Sequence, residues 1–416
     1  MNNLLHTPDG VRDIYNGECR RRNILSGKLK KVLDLYGYQD IQTPTFEFFD
    51  IFNRERGTVS SRNMFKFIDR EGNTLVLRPD ITPSIARAVA KYFHEEKIPL
   101  RFSYCGSTFI NHSRLQGRLS ETTQIGAELV MDSGIEADAE MVSLAVHMLL
   151  EAGLKDFQID IGHVGFFRAL ADVSGLSEEE TGQLKDLINT KNYFAVEAFV
   201  EEHRIAEDVS KLLVMLPELF GSVDVIARAR NMTSNESALK VLDYLEKLYS
   251  LITEYGFEKY VTIDLGMLSG YEYYTDIIFR GYTYGTGDAI IKGGRYDNLI
   301  GQFGKEAASV GFVIVLDELM LALERQKIPV PSYDSQSLVL YRPDCLSQAI
   351  RTAASLRAIA RSVSMIKEDP GVSMEEYKDY CRRLNIESIL HVTDQETIEK
   401  IDIADGSIQK MPVPQA

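Results

Sequence analysis

Residues Leu100–Met131, LRFSYCGSTFINHSRLQGRLSETTQIGAELVM, decide the fold. Two strand-like runs flank a polar loop at Asn111–Ser120, and alternate residues of a strand share a face. In Thr123–Val130 this puts Gln124, Gly126 and Glu128 together, with Ile125, Ala127 and Leu129 behind them. Before the loop, Tyr104, Gly106, Thr108 and Ile110 share one face. A polar face on a lone edge strand is ordinarily solvated. Two adjacent strands that each set a glycine among polar groups point instead to the floor of a site. Gly106 and Gly126 are expected to leave room there for a ligand. Glu128 can accept from an imidazole N–H, and Gln124 can serve an amine or a carboxylate.

On the N-terminal side, Glu18–Tyr36 has apolar residues at helical spacing and Gly37 to end it. Tyr38–Pro44 is a short extended segment, and Ser84–Phe93 is a second helix. On the C-terminal side, Asp138–Glu151 reads as a helix closed by Gly153, and Phe157–Gly162 as a strand. The stretch 166–257 changes character. Ser177-x-x-Glu180 and Thr233-x-x-Glu236 both have the form of a capping box ahead of helical apolar spacing. Strands resume at Tyr260–Leu265, Tyr274–Arg280 and Ala289–Lys292, with Gly281–Gly287 as a turn. Val310–Leu316 then leads into a helix, Asp317–Glu324. Residues 326–336 hold two prolines and little apolar content, which marks a linker. Beyond it, Leu338–Tyr341, Cys345–Arg361, Met374–Leu384 and Ser388–Val392 read as strand, helix, helix, strand, a small α/β domain.

A chain of 416 residues calls for two or three domains. Its formal net charge is −15, which disfavours a polyanionic partner, because phosphate neutralisation supplies most of such affinity. The stretch from Ser337 onward has ten Lys/Arg against twelve Asp/Glu, so no basic tail reverses that balance. The four cysteines, Cys19, Cys105, Cys345 and Cys381, have no paired spacing. They read as free thiols, with neither a zinc ribbon nor a redox motif. No signal peptide and no membrane-length apolar run is evident, so the expected location is the cytoplasm. The seven histidines are scattered, no metal or cofactor is expected, and His147 reads as a core histidine.

Two further motifs bear on function. Gly293-Gly294-Arg295-Tyr296-Asp297 can be a turn into a helix or a place of close backbone approach. The run 269–274, SGYEYY, with Tyr273 and Tyr274 at its end, can be packing or part of a site.

Together these segments resemble histidyl-tRNA synthetase. The resemblance rests on Arg78-Pro79-Asp80-Ile81-Thr82, Tyr104–Phe109, Gln124–Glu128, Gly270–Tyr274, Gly293–Asp297 and Gly311–Leu319 in order and spacing, with His6–Asp13 at the start. It implies an α+β fold of the class II aminoacyl-tRNA synthetase type, a six-stranded antiparallel sheet flanked by helices. The implied organisation is a core over 1–325 interrupted by a helical insertion at 166–257, a linker at 326–336, and a small α/β domain at 337–416 resembling the anticodon-binding domain. A dimer built on the first helix and strand is also implied.

The departures from that family bear on activity. Where the family carries arginines that hold the ATP α-phosphate, act on the aminoacylation transition state and hold the γ-phosphate end, this chain has Ile110, Ser269 and Glu318. Preorganised cations lower such barriers electrostatically, so adenylate formation is expected to be lost. The positions that cradle free histidine persist better. By motif they are Asp80 (a Glu in the family), Thr82 and Gln124 on the amino group, and Glu128 and Tyr274 on the imidazole, with Tyr273 and Tyr296 beside them. Lost chemistry over a kept pocket resembles the regulatory subunits of ATP phosphoribosyltransferase. That resemblance implies a non-catalytic chain that partners a short-form catalytic subunit in the first step of histidine biosynthesis, takes histidine as effector, self-associates, and uses no tRNA and no membrane. The alternatives are an active histidyl-tRNA synthetase and a synthetase-like sensor of uncharged tRNA. The second normally accompanies a kinase, and this chain has neither a Gly-rich kinase loop nor a Walker A motif.

Overall fold

The computed structural model describes residues 5–52, 59–112, 117–190, 192–268, 273–330 and 336–414. The chain divides into two compact units, one of Met1–Asp13 with Leu25–Val330, the other of Ile14–Ile24 with Pro331–Ala416.

The first unit is organised by strands Leu100–Phe109 and Glu121–Val130, which pair antiparallel over their whole length, Tyr104 facing Gly126 and Phe102 facing Glu128. Four further strands continue the sheet antiparallel, in the spatial order Ser309–Val315, Ile291–Arg295, Ile277–Thr283, Phe157–His163. These six contiguous strands are the expected antiparallel sheet. Three short strands widen it to nine. Gln39–Asp40 joins one edge in parallel. Val261–Asp264 joins the other edge in parallel and is followed by Phe220–Gly221.

The strand periodicity sorts the two faces. Ile125, Ala127 and Leu129 join the main apolar core with Val142, Leu144 and Val146 of helix Ile135–Ala152. Helix Asn16–Leu35 adds Leu25, Leu29, Val32 and Leu33 to the same core. Gly153 closes Ile135–Ala152 at φ +105°, a conformation that glycine adopts without strain. His147 lies half-buried in this core, its ring edge-on to Tyr36 and its Nδ1 3.2 Å from the Tyr36 hydroxyl.

The helical stretch runs from Val164–Ala171 to Glu236–Glu254. Ser177 and Glu180 form the expected capping box, each side chain meeting the other's backbone N–H. The second expected box is absent. Asn235, not Thr233, caps the last helix by accepting from Ala238 N, while Thr233 accepts from Asn235 N. Two residues of turn therefore precede the helix, and Glu236 becomes its first residue rather than its third.

The motif Gly293-Gly294-Arg295 lies inside strand Ile291–Arg295, so the turn reading fails. Tyr274 packs against the open α-carbon of Gly294. The strand expected at Tyr274–Arg280 starts at Ile277 and continues through Gly281 to Thr283, which shortens the expected turn.

The second unit holds a five-stranded sheet in the order Val363–Lys367, Ser337–Tyr341, Ser388–Val392, Thr397–Asp402, Ile408–Pro412. The first three are parallel, the last two antiparallel. The expected strand–helix–helix–strand order lacked Val363–Lys367 and the final hairpin. A parallel sheet needs a crossover after each strand, and Val363–Lys367 is the half-exposed return strand after helix Leu346–Ala358.

Candidate functional site

A cavity of about 920 Å³ opens over the sheet of the first unit, on the face away from the main core. Asp80, Thr82, Gln124, Glu128, Tyr273, Tyr274 and Tyr296 all line it, as do Ile110 and Glu318. Ser269 lies outside the described residues. Segments more than two hundred residues apart in sequence thus converge on one space.

Its inner end is built around Glu128, only 1% exposed. The carboxylate accepts from the hydroxyls of Thr82 (2.7 Å), Tyr104 (3.4 Å) and Tyr296. Its position depends on the strand beside it. Gly311 faces Glu128 across the register, and a β-carbon there would stand 1.6 Å from Glu128 Oε2. Burial pushes the Glu128 carboxyl up to about 8, with nearby Asp80 adding to the rise, against the pull of the three hydroxyls. Asp80 precedes helix Thr82–Tyr92 and accepts from Ile81 N and Thr82 N, and its other oxygen accepts from the Tyr273 hydroxyl at 3.4 Å. Gln124 extends its side chain into the cavity wall, and its Oε1 is buried without a hydrogen-bond partner.

The expectation that Gly106 and Gly126 leave room for a ligand is corrected. A β-carbon on Gly106 would meet Arg78 Nη2 at 2.3 Å, and one on Gly126 would meet the Tyr104 ring at 2.6 Å. Both glycines make room for protein. Arg78 is a buried strut, donating to the carbonyls of Ser107, Thr43 and Pro44, which ties the segment ahead of helix Thr82–Tyr92 to its neighbours. Tyr104, lying over Gly126, is the side chain whose role at Glu128 was not read from sequence. Its signal was its place opposite Gly126 on the shared polar face.

Behind the site, Arg295 and Asp138 form an ion pair at 2.7 Å, 3% and 0% exposed. Arg295 also reaches the Asp132 and Gly134 carbonyls and Asp297. Asp138 accepts from the Tyr244 hydroxyl of helix Glu236–Glu254, so the network joins the sheet to the helical stretch. Burial pushes Asp138 up to about 6 despite Arg295, which leaves it ionised at neutral pH. Arg295 thus orients the strand end that carries Tyr296.

The outer end of the cavity is different. Ile110 stands on its wall, and Glu318 faces it without a hydrogen bond or ion pair among the described residues. Burial raises the Glu318 carboxyl, with Asp288 adding to the effect. Of the cations nearby, Lys292 meets Asp288 at 3.1 Å, and Arg325 donates to the Gly285 carbonyl at 2.7 Å. Asp317 accepts from Thr123 N, and Arg118 borders the space from the exposed loop. Among the described residues no cluster of His, Cys, Asp or Glu is able to hold a metal ion, and no helix is long and apolar enough to cross a membrane.

The family model for histidyl-tRNA synthetase matches residues 10–319 of the chain. The ATP phosphoribosyltransferase regulatory subunit of Acetivibrio thermocellus is 39% identical over 409 residues, covering 98% of this chain and 97% of its own length. That of Ruminiclostridium cellulolyticum is 37% identical over 401 residues, covering 96% and 95%. Among solved structures, an ATP phosphoribosyltransferase regulatory subunit/histidyl-tRNA synthetase from Bacillus halodurans superposes with a TM-score of 0.84 at 29% identity, over 94% of this chain and 99% of the other. Histidyl-tRNA synthetase from Nostoc reaches a TM-score of 0.81 at 19% identity over 98% and 97% of the two chains, a likeness of fold.

Proposed function

The chain belongs to the histidyl-tRNA synthetase family and, within it, to the ATP phosphoribosyltransferase regulatory subunits, and we propose that it serves as the non-catalytic partner of a short-form catalytic subunit and as its histidine sensor. One contrast carries the reading. The inner end of the cavity keeps converging acceptors for a small donor-rich molecule, whereas at the outer end Glu318 and the apolar Ile110 stand where the synthetase motifs carry arginines, with Arg118, Lys292 and Arg325 the cations left on the lining. Binding can persist there while phosphate chemistry cannot.

Histidine fits the inner end in one sense. Its imidazole N–H reaches Glu128, and its ammonium meets Asp80 and the unpartnered Gln124 oxygen. A charge-assisted contact of that kind contributes about 1.5–3 kcal/mol. The excess of acidic residues speaks against tRNA as a partner.

The decisive experiment mixes this chain with a catalytic subunit that lacks its own regulatory domain. The two are expected to co-elute at micromolar concentration and to form phosphoribosyl-ATP faster than the catalytic subunit alone, with histidine slowing the complex. Coupling of two binding events is reciprocal, so a substrate whose binding histidine weakens must weaken histidine binding equally. Absence of both co-elution and any rate change would overturn the reading. The alternative of a working synthetase is tested by histidine-dependent pyrophosphate exchange, expected at background.

A further inference from the structure

Glu128 is a buried carboxyl whose hydrogen-bond donors are all uncharged hydroxyls, those of Thr82, Tyr104 and Tyr296. It lies 1% exposed against a glycine floor at Gly311, and strand Ser309–Val315 brings no charge to it there. Among the described residues the other titratable groups around it are Asp80, from the segment before helix Thr82–Tyr92, Tyr104 on strand Leu100–Phe109, Tyr38 from the segment after helix Asn16–Leu35, and Tyr274 and Tyr296 beside the strand that carries Arg295. Each of them is an acid, and Asp80 as a carboxylate repels a second negative charge. The buried cations of this region are committed elsewhere, Arg295 to Asp138 and Asp297, and Arg78, which lies near Tyr104, to the carbonyls of Ser107, Thr43 and Pro44. A carboxylate so placed has lost its water and gained no cation among the described residues. The neutral acid is the form this cage suits until a ligand supplies a donor.

We propose that Glu128 holds a proton in the empty cavity and releases it when a ligand N–H enters, so that ligand capture and proton release are a single event. The balance is simple. Glu128 COOH and the incoming N–H donor become a carboxylate hydrogen-bonded to that donor, and one proton passes to the solvent. The inference rests on histidine being the ligand, as proposed above. It adds that the sensor's affinity follows pH and that the site selects for molecules offering a donor at this depth. The carboxyl's place at about 8 agrees with the geometry and sets the size of the effect.

If only the carboxylate form binds, about one site in eleven is ready at pH 7 and about three in four at pH 8.5, so affinity rises by about eightfold over that range. The test is calorimetry of histidine binding to the full chain in buffers of different ionisation enthalpy. Release of about 0.9 proton per histidine is expected at pH 7, falling to about 0.2 at pH 8.5. Glu128→Gln, which keeps a carbonyl acceptor and cannot ionise, should bind without that release and without that slope. The difference between the two proteins cancels the titration of histidine itself. Tyr296→Phe removes a donor from the carboxylate and should move the slope to higher pH, which provides an independent readout if Glu128→Gln folds poorly. Binding with no proton release, or release that persists in Glu128→Gln, overturns this inference and leaves the sensor reading intact. Absence of histidine binding at every pH, in the chain and in its complex with a catalytic subunit, overturns both.

Discussion

The two ends of the cavity share one sheet and have opposite designs. At the inner end Thr82, Tyr104 and Tyr296 converge on one carboxylate, that of Glu128, and Gly311 gives it floor space. At the outer end the charges are unevenly matched, with Glu318 making no hydrogen bond or ion pair among the described residues beside a Lys292–Asp288 pair. On the proposed reading, preorganisation is kept where histidine would be recognised and lost where a phosphate would react. Recognition and catalysis in one cleft rest on different residues, so one can decay without the other.

The comparison can be broken most severely from behind. Asp138→Ala removes the fully buried partner of Arg295 and leaves only the partly exposed Asp297 opposite it, and the cost is expected to be about 3 kcal/mol of folding stability by urea denaturation. A small loss would mean that the inner end does not depend on this buried pair. Next in size, Gly311→Ala places a methyl group 1.6 Å from Glu128 Oε2 and must evict the carboxylate. Histidine affinity should fall by about a hundredfold, close to 2.7 kcal/mol, by calorimetry. Retained affinity would show that the effector lies elsewhere.

A pH experiment sharpens the contrast further. The folded-state pKa of Glu128 is about 8, above the 4.5 of a free side chain, so the folded protein holds this proton more tightly than the unfolded chain. Its contribution to stability is therefore fully present below pH 4.5 and is lost as pH rises through 8. Between pH 6.5 and 8 the unliganded protein should lose on the order of 2 kcal/mol from this group, read by thermal or chemical denaturation. Glu128→Gln should lack that portion of the decline. Glu128→Ala should weaken histidine binding by roughly tenfold to a hundredfold, since an imidazole N–H is left unpaired. The smallest effect is expected at the other end. Glu318→Gln should change histidine affinity by less than about twofold, because this carboxylate holds no partner at the inner end. A tenfold change would mean that the two ends act as one site.

Much of this molecule is legible in its residues. The alternation through Thr123–Val130 set Gln124 and Glu128 on one face and the core on the other, because a strand has a period of two whatever surrounds it. Helix and strand runs over Asn16–Leu35, Ile135–Ala152 and Ser309–Val315 follow from apolar spacing in the same way. The substitutions at Ile110 and Glu318 are likewise plain in the sequence, since charge is a property of the residue itself.

Tertiary structure decided what depends on who is opposite. Gly106 and Gly126 look like open floor in sequence, yet Arg78 and Tyr104 fill them, because the vacancy a glycine leaves is assigned by the neighbouring element. Thr233 and Glu236 have the spacing of a cap, but Asn235 lies two residues nearer the helix and takes the role. Val363–Lys367 shows little alternation because it is a half-exposed strand, recognisable only by its pairing with Ser337–Tyr341. The protonation of Glu128 belongs to the same class. A glutamate in sequence is an ordinary acid, and only its burial, with a second carboxylate nearby, removes the water that would keep it charged, against the pull of the three hydroxyls.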